Sequence, residues 1–540
     1  MQDDMTGDRR NGSVALSRRS VLGGLSGAIA GVAIARPAAA QEQATQPTGD
    51  TGFSFDALAA RMREKARHDY EPQTVDVPEA IRNLDYEAYK QVAFRPDRAV
   101  WGDSDLPFRI QAFHMGWLFN DPVKLFVVEN GEASELTFSA ADFEYRPPLD
   151  PAAFEGLQMP GVAGFRLHFP LNRPDVFDEV IAFQGASYFR AVGHRNAYGI
   201  SARGLAVNTA TGSEEEFPRF TEFYIEKPGP GARSIMVYAA MESPSLTGVY
   251  AFRITPGTDT VTDVRAQLFF RADIQRLGVA PMTSMFLFGE NNQAAFDDYR
   301  ERVHDSEGLR IVRRSGEELW RHLNNPHVLA NSFFGEDQPV SFALNQRHRM
   351  FEDYQDAEAH YERRPSLRVE PGQGWGKGHI QLVEIPANAD HMDNVVAFWT
   401  PADRATAGSE LALDYRLVWG SPGSETSTLA RAIATRTGVG GTAGARNEDG
   451  LRKFVIDYEG GMLPGLPPDA ALSPKIYVGG GELKASALHR INDGIWRFAF
   501  DVLPAGDGPV ELSVSLDMAG RPVTETWLYQ WRPGDERRRA

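Results

Sequence analysis

The 540-residue sequence contains no cysteine, which excludes disulfides, thiolate chemistry and cysteine-based metal sites. It has no long uncharged apolar run, only a short Gly/Ala-rich stretch near its start. Stable membrane insertion is therefore not expected, since a span needs ~20 apolar residues. Basic residues are in the minority: 56 Lys and Arg stand against 73 Asp and Glu, for a formal net charge of −17. So acidic a surface repels phosphate backbones and anionic lipid, which argues against nucleic acid as a partner and for a neutral ligand such as a sugar. A phosphate loop is missing too, because Gly374-Trp375-Gly376-Lys377-Gly378 lacks both the spacing of that motif and the Ser/Thr after its Lys. It reads instead as a turn presenting Trp375. His304 beside Asp305 and His391 near Asp393 have no further partner at metal-ligand spacing, so neither a metal nor a cofactor is expected.

Punctuation is plentiful. With 51 Gly and 34 Pro, the chain favours many short strands and turns over long helices. Its length exceeds one ordinary core and predicts two domains.

The N-terminal 40 residues read as an export signal. Ser17-Arg18-Arg19-Ser20-Val21-Leu22 is a twin-arginine motif, a weakly apolar stretch follows to Ala35, and Ala38-Ala39-Ala40 forms a small-residue cleavage site before Gln41. A periplasmic location follows. The signal holds five Arg against three Asp, a net +2, so its removal takes the chain from −17 to −19. Residues 41–52 are a polar lead-in.

Ser54 is placed to cap a helix in which Phe55, Leu58, Met62 and Ala66 recur at helical spacing, and Pro78 opens a second short helix with Ile81 and Leu84 on its apolar side. Strand patterns follow. Asn130-Gly131 between 124–129 and 132–138 is a two-residue hairpin signal. Apolar runs at 164–169, 234–240, 248–254 and 264–270 alternate with turns as far as Trp399. This predicts an all-β fold: a large sandwich of two sheets over 53–404. Residues 401–409 read as an interdomain linker. Seven or so strands over 409–532, with Leu411, Leu413, Tyr415, Leu417 and Trp419 on one face, suggest a smaller immunoglobulin-like sandwich.

Three segments are too polar and aromatic for packing alone: 299–309, 351–366, and 386–399 with Asp390, His391, Asp393 and Asn394 before an apolar strand. A cleft that cleaves glycosides needs one carboxyl held protonated and another ionised, beside flat aromatic faces for sugar rings. Against this, a single loop Asp is most often a turn or capping residue, and Glu362, Arg363 and Arg364 are equally a solvated face. Composition and spacing alone reach a secreted all-β protein suited to carbohydrate.

Several blocks resemble the periplasmic glucan biosynthesis protein G/D family. They include Gly185-Ala186-Ser187-Tyr188-Phe189-Arg190, Tyr198-Gly199-Ile200-Ser201-Ala202-Arg203-Gly204, Glu215-Glu216-Phe217-Pro218-Arg219-Phe220, Leu277-Gly278-Val279-Ala280-Pro281-Met282, His304-Asp305-Ser306, Leu323-Asn324-Asn325-Pro326 and Trp375-Gly376-Lys377-Gly378. The resemblance runs from about Phe53 to Trp531, and the twin-arginine signal leans toward the D branch. It implies a galactose-mutarotase-like sandwich followed by an immunoglobulin-like domain. It also implies anomer-inverting endo-hydrolysis of β-1,2-glucan, or transglycosylation of the same backbone. Carried over motif by motif, it makes Asp393 of Asp393-Asn394-Val395-Val396-Ala397 the general acid and Asp305 the general base. Tyr361, in Tyr-x-x-Arg-Pro-Ser, lies in the proton path. Tyr188, Arg190, Arg203, Arg364, Trp375 and Asp390 are the expected substrate-binding residues. Relatives carry Glu-Asp-Leu-Asp ahead of that Tyr, whereas this chain has Gln355-Asp356-Ala357-Glu358-Ala359-His360. That departure keeps a third alternative open, a non-catalytic glucan-binding or assembly protein. A homodimer is also left open.

Replacing both twin arginines, Arg18→Lys with Arg19→Lys, is expected to hold the precursor in the cytoplasm. Cell fractionation checks this, and normal periplasmic accumulation of the double variant contradicts the export reading.

Overall fold

The computed structural model describes residues 52–72, 75–421, 427–442, 444 and 450–536. The expected signal, nearly all of the lead-in and the arginine-rich end at 537–539 lie outside them.

Two large sheets dominate an almost all-β chain, one of ten strands and one of fifteen. They face each other across one core. Side chains alternate along each strand, so every second residue enters it. From the smaller sheet come Phe165 and Leu167, Ile181 and Phe183, Phe189 and Ala191, and Ala397 and Trp399. The larger sheet answers with Phe223 and Ile225, Tyr250 and Phe252, Ala266 and Leu268, and Leu417 and Trp419. Asn130 and Gly131 both take positive φ, at 53° and 83°, as the predicted hairpin turn requires, and they join strands Lys124–Glu129 and Glu132–Leu136. The helix Phe55–Lys65 is capped by Ser54, whose hydroxyl accepts the Ala57 N–H at 3.1 Å. Its Leu58, Ala59 and Met62 cover the outer face of the larger sheet at Val128, Tyr224, Ala240 and Val249.

The linker expected at 401–409 does not coincide with a break in the sheet. Strand Glu410–Gly420 lies between Thr260–Phe270 and Ser366–Pro371, in antiparallel register with both. Its Leu413, Tyr415, Leu417 and Trp419 belong to the main core. A second core gathers residues from Ala430 to Trp531 together with Trp320. It is enclosed by a four-stranded sheet and by Leu472–Gly479, Val510–Met518 and Thr526–Trp531. The last of these pairs in parallel with Glu318–His322, so the larger sheet runs unbroken from one core to the other. Alternation at 411–419 is read equally well as a first strand of the second unit or a last strand of the first, and pairing partners alone decide it.

A fragment ending at 404 therefore loses a strand from within the larger sheet and is expected not to fold. A fragment covering 53–428 keeps that strand and should show a cooperative melt by circular dichroism, at a lower temperature than the whole chain. Cooperative folding of the shorter fragment contradicts this.

Candidate active site

On strand Tyr188–Ala191, Phe189 and Ala191 point into the core, which turns Tyr188 and Arg190 to the opposite face of the ten-stranded sheet. The same alternation turns Arg203 and Thr283 outward beside them. Tyr188 pairs with Arg203 and Ser201 with Thr283 across neighbouring strands. The Arg203 guanidinium lies 4.7 Å from the Tyr188 ring centre, and it donates to Thr283 Oγ1 at 2.9 Å and to Glu215 Oε1 at 2.7 Å.

One short segment, Ser284-Met285-Phe286, brings the chain at both expected catalytic residues to neighbouring positions. Strand Leu277–Ser284 pairs with Val395–Pro401, ending at Ser284 opposite Val395. The next residues pair the other way, Phe286 opposite His304. Asn394 N–H donates to Ser284 O at 3.1 Å, and Asp305 N–H donates to Met285 O at 2.8 Å. The Asn394 amide locks the crossing: its Oδ1 accepts Phe286 N–H at 2.8 Å, and its Nδ2 donates to Phe286 O at 2.9 Å and Ile385 O at 3.0 Å. Ser284 Oγ donates to Ser306 Oγ at 2.7 Å. Asp393 and Asp305 thus adjoin residues bonded to neighbouring positions of a single segment.

Their surroundings differ. Asp305 is only 4% exposed and forms an ion pair with Arg364. Burial raises its proton affinity, and Arg364 opposes that rise without cancelling it. Burial likewise works against the Arg364 charge, but Asp305 and Tyr361 outweigh it and hold the guanidinium above its ordinary range. Asp393 is half-buried where the chain enters its strand. Arg190 is buried with its guanidinium 4.3 Å from the Tyr198 ring centre, and burial draws its pKa down to about 10. Asp393 partly offsets that fall and Arg364 adds to it, so Arg190 links the two halves of the site electrostatically.

Tyr361 is buried beneath Arg364, 4.4 Å from ring centre to guanidinium, and its hydroxyl donates to Asp390 Oδ2 at 3.3 Å. Burial raises its pKa strongly, which keeps the phenol protonated. Asp390 accepts in turn from Arg300 Nη1 at 3.2 Å. Arg300 also pairs with Asp298 and Asp356, each at 2.7 Å. Asp356 lies in the departing segment, where its Oδ1 accepts the N–H groups of Glu358 at 2.9 Å and Ala359 at 2.7 Å. His360 occupies the left-handed region at φ 46° and contacts Glu362 Oε1 at 3.1 Å.

Asp393, Asp305, Tyr361, Arg364, Asp390 and Arg190 therefore form one connected group, with Tyr188 and Arg203 on the adjoining strands. Trp375 does not join them. It is buried against Phe342, Trp399 and Tyr415, its indole N–H donating to Asp414 O at 2.9 Å, so it is a core residue and not a sugar platform. Arg364, expected to bind substrate, forms an ion pair with Asp305. Arg300 was not singled out, although it sits in a segment marked as too polar for packing, and Asn394 was noted in another such segment without its bracing role. Among the described residues no group of three or more His, Asp or Glu is arranged to hold a metal ion, and no helix is long and apolar enough to cross a membrane.

Behind Asp305 lies a buried histidine group. Glu307 accepts from His348 Nδ1 at 3.0 Å. Burial alone would raise the Glu307 pKa, but His348 wins and holds it low, and Glu307 correspondingly raises His348. Burial keeps His304 and His322 neutral, with pKa values pushed down to about 3 and about 4.

Fold and site together define a two-sheet β-protein whose outer sheet face carries a carboxylate–arginine–tyrosine cluster. The chain belongs to the periplasmic glucan biosynthesis protein family: the family model described as "Periplasmic glucan biosynthesis protein, MdoG" matches residues 53–531. Glucans biosynthesis protein G of Cereibacter sphaeroides is 53% identical over 483 residues, 89% of each chain. The probable glucans biosynthesis protein D of Shewanella oneidensis is 42% identical over 489 residues, again 89% of each chain. Glucans biosynthesis protein G of Rhodopseudomonas palustris is 42% identical over 525 residues, covering 96% of this chain and 100% of the relative. These identities do not carry the leaning toward the D branch that the signal suggested.

The buried histidines generate a stability prediction. His322 has a folded pKa below its unfolded value near 6.5, so the unfolded chain takes up a proton between about pH 6.5 and about pH 4 that the folded chain refuses. Relative to His322→Gln, the unsubstituted chain should lose stability over that window, by about 1.4 kcal/mol per pH unit. Denaturant unfolding of both at pH 7, 5.5 and 4.5 checks this, and a constant difference contradicts it.

Proposed function

We propose that this chain is an anomer-inverting endo-β-1,2-glucanase that trims or shapes periplasmic glucan. Asp393 acts as general acid, Asp305 as general base, and Tyr361 lies in the proton path. The observation carrying this reading is a pair of carboxylate residues in unlike surroundings, their backbones held next to one another along Ser284-Met285-Phe286. Membership of a glucan biosynthesis family supports the substrate class. The export signal supports the periplasm, and the acidic surface suits a neutral polymer.

In this reading Asp393 gives its proton to the glycosidic oxygen as the bond to the anomeric carbon breaks. Water attacks that carbon from the opposite face, and its proton passes to the Asp305 carboxylate. Burial makes Asp305 a stronger base than an exposed aspartate, while Arg364 keeps it ionised until the proton arrives. Inverting sites hold their carboxyls roughly 6.5–9.5 Å apart to admit the water. With Arg364 and Tyr361 covering Asp305, transfer through a substrate hydroxyl or second water suits this site better than direct contact. Transglycosylation uses the same acid and the same cleft, with a sugar hydroxyl in place of water.

One observation favours a second reading. Asp305 is almost wholly enclosed and already paired, as in a cleft that binds glucan without cleaving it. Incubating the exported chain, residues 41–540, with linear β-1,2-glucan separates the alternatives. Shorter linear products mean hydrolysis, rings one water lighter mean transfer, and unchanged polymer means binding alone. Asp393→Asn and Asp305→Asn should each lose ~10²–10⁴-fold in turnover while still binding glucan, and Tyr361→Phe should lose less. An activated leaving group should partly rescue Asp393→Asn but not Asp305→Asn. Wild-type turnover in both Asp variants overturns the assignment.

A further inference from the structure

We infer that Tyr299 is a stacking platform for a glucosyl unit at the outer end of the proposed cleft, an inference that rests on the glucanase reading above. Side-chain exposure is 5% at Asp305, 18% at Arg364 and 39% at Asp390, and falls to 14% at Arg300. Asp390 is bonded to Arg300, and the residue before Arg300 is Tyr299, 78% exposed. Met350 and Phe351, on the neighbouring turn, are less open, at 64% and 41% exposed.

Exposure alone is ordinary for a tyrosine. What sets Tyr299 apart is how firmly its backbone is held. Asp298 Oδ1 accepts both Arg300 N–H and Nε–H, at 2.9 and 3.0 Å, closing a ring around Tyr299. Asp298 Oδ2 takes Arg300 Nη2 at 2.7 Å, and Asp356 takes Nη1 at 2.7 Å. Gln293 Nε2 donates to Arg300 O at 2.9 Å. The surrounding polar groups are engaged with one another; the Arg300 guanidinium lies 5.9 Å from the Tyr299 ring centre on one side, and the ring is otherwise open on a fixed base. A fixed base removes much of the ordering cost of binding. The ring offers an apolar face to the C–H face of a glucose unit, and its hydroxyl reaches the ring-edge hydroxyls. It is linked to Asp305 only through Arg300, Asp390, Tyr361 and Arg364, so in this reading only chains extending past the bond under attack reach Tyr299.

The test is calorimetric titration and steady-state hydrolysis with the full exported chain. Long linear β-1,2-glucan and the shortest oligosaccharide that binds are compared for Tyr299→Ala, Tyr299→Trp and the distant control Tyr477→Ala. Tyr299→Ala should weaken binding of the long glucan roughly three- to tenfold, the range expected of one aromatic contact. KM should rise by a similar factor and kcat should hold. Tyr299→Trp should retain affinity, and the shortest ligand should not distinguish the variants. Equal affinity of Tyr299→Ala and the unsubstituted chain for long glucan overturns the platform and leaves the glucanase reading standing, as does an equal loss in Tyr477→Ala. Failure of the unsubstituted chain to bind β-1,2-glucan at all overturns both.

Discussion

The candidate site depends on a single constraint: the backbone of Ser284-Met285-Phe286 is buried and must find its hydrogen bonds away from water. It changes partners within these residues, from the strand after Asn394 on one side to the strand before Asp305 on the other. A switch of that kind leaves groups without ladder partners. The Asn394 side chain supplies them, bonding both the N–H and the carbonyl of Phe286 and reaching to Ile385. An asparagine is suited to this because one amide carries both donor and acceptor; an aspartate there could not donate to the two carbonyls. Fixing the crossing also fixes the chain on either side of it, where Asp393 and Asp305 stand.

Around that crossing, arginines set the charge pattern. Arg364 is committed to Asp305, Arg300 to Asp298, Asp356 and Asp390, and Arg203 to Glu215. Each of these carboxylates thus keeps a cation, as its desolvation requires. The departing segment 355–360 fits the same scheme. Asp356 uses one oxygen for Arg300 and the other for two backbone N–H groups. One carboxylate therefore both neutralises Arg300 and holds the turn leading to Tyr361, so the loss of a further acid in this segment leaves the turn intact.

Much of this was legible in the sequence because its causes are local. The Ser54 cap, the Asn130-Gly131 turn and strict alternation along single strands each depend on residues a few positions apart, and the structure has them where expected. The polarity of 299–309 and 386–399 marked the site's segments for a similar reason: charge and aromatics there have no place in a strand core. What was not legible is of another kind. Trp375 stands in a Gly-rich turn, and its burial against Trp399 and Tyr415 comes from strands brought together only by folding. Arg364 read equally as a surface charge until Asp305, 59 positions away, became its partner. The strand Glu410–Gly420 had the right pattern for either unit.

That strand also bears on how the second unit supports the site. Beyond the shared sheet, the two cores meet at Arg347. Its guanidinium lies 3.4 Å from the Trp320 ring centre, donates to Ala432 O at 2.7 Å and forms two bonds with Glu525 at 2.6 and 2.8 Å. The next residue, His348, bonds Glu307, two positions from Asp305, and Glu290 accepts Thr435 N–H at 3.0 Å from the other side. Removing the second unit would leave Glu525's partner and the Glu290 carboxylate facing water at positions built for burial. The segment carrying Asp305 and Glu307, between strands Val303–His304 and Gly308–Val312, is thus braced on one side by Asn394 at the crossing and on the other through His348, next to the Arg347–Glu525 ion pair that exists only when both cores are present. The second unit forms part of the wall behind the proposed base.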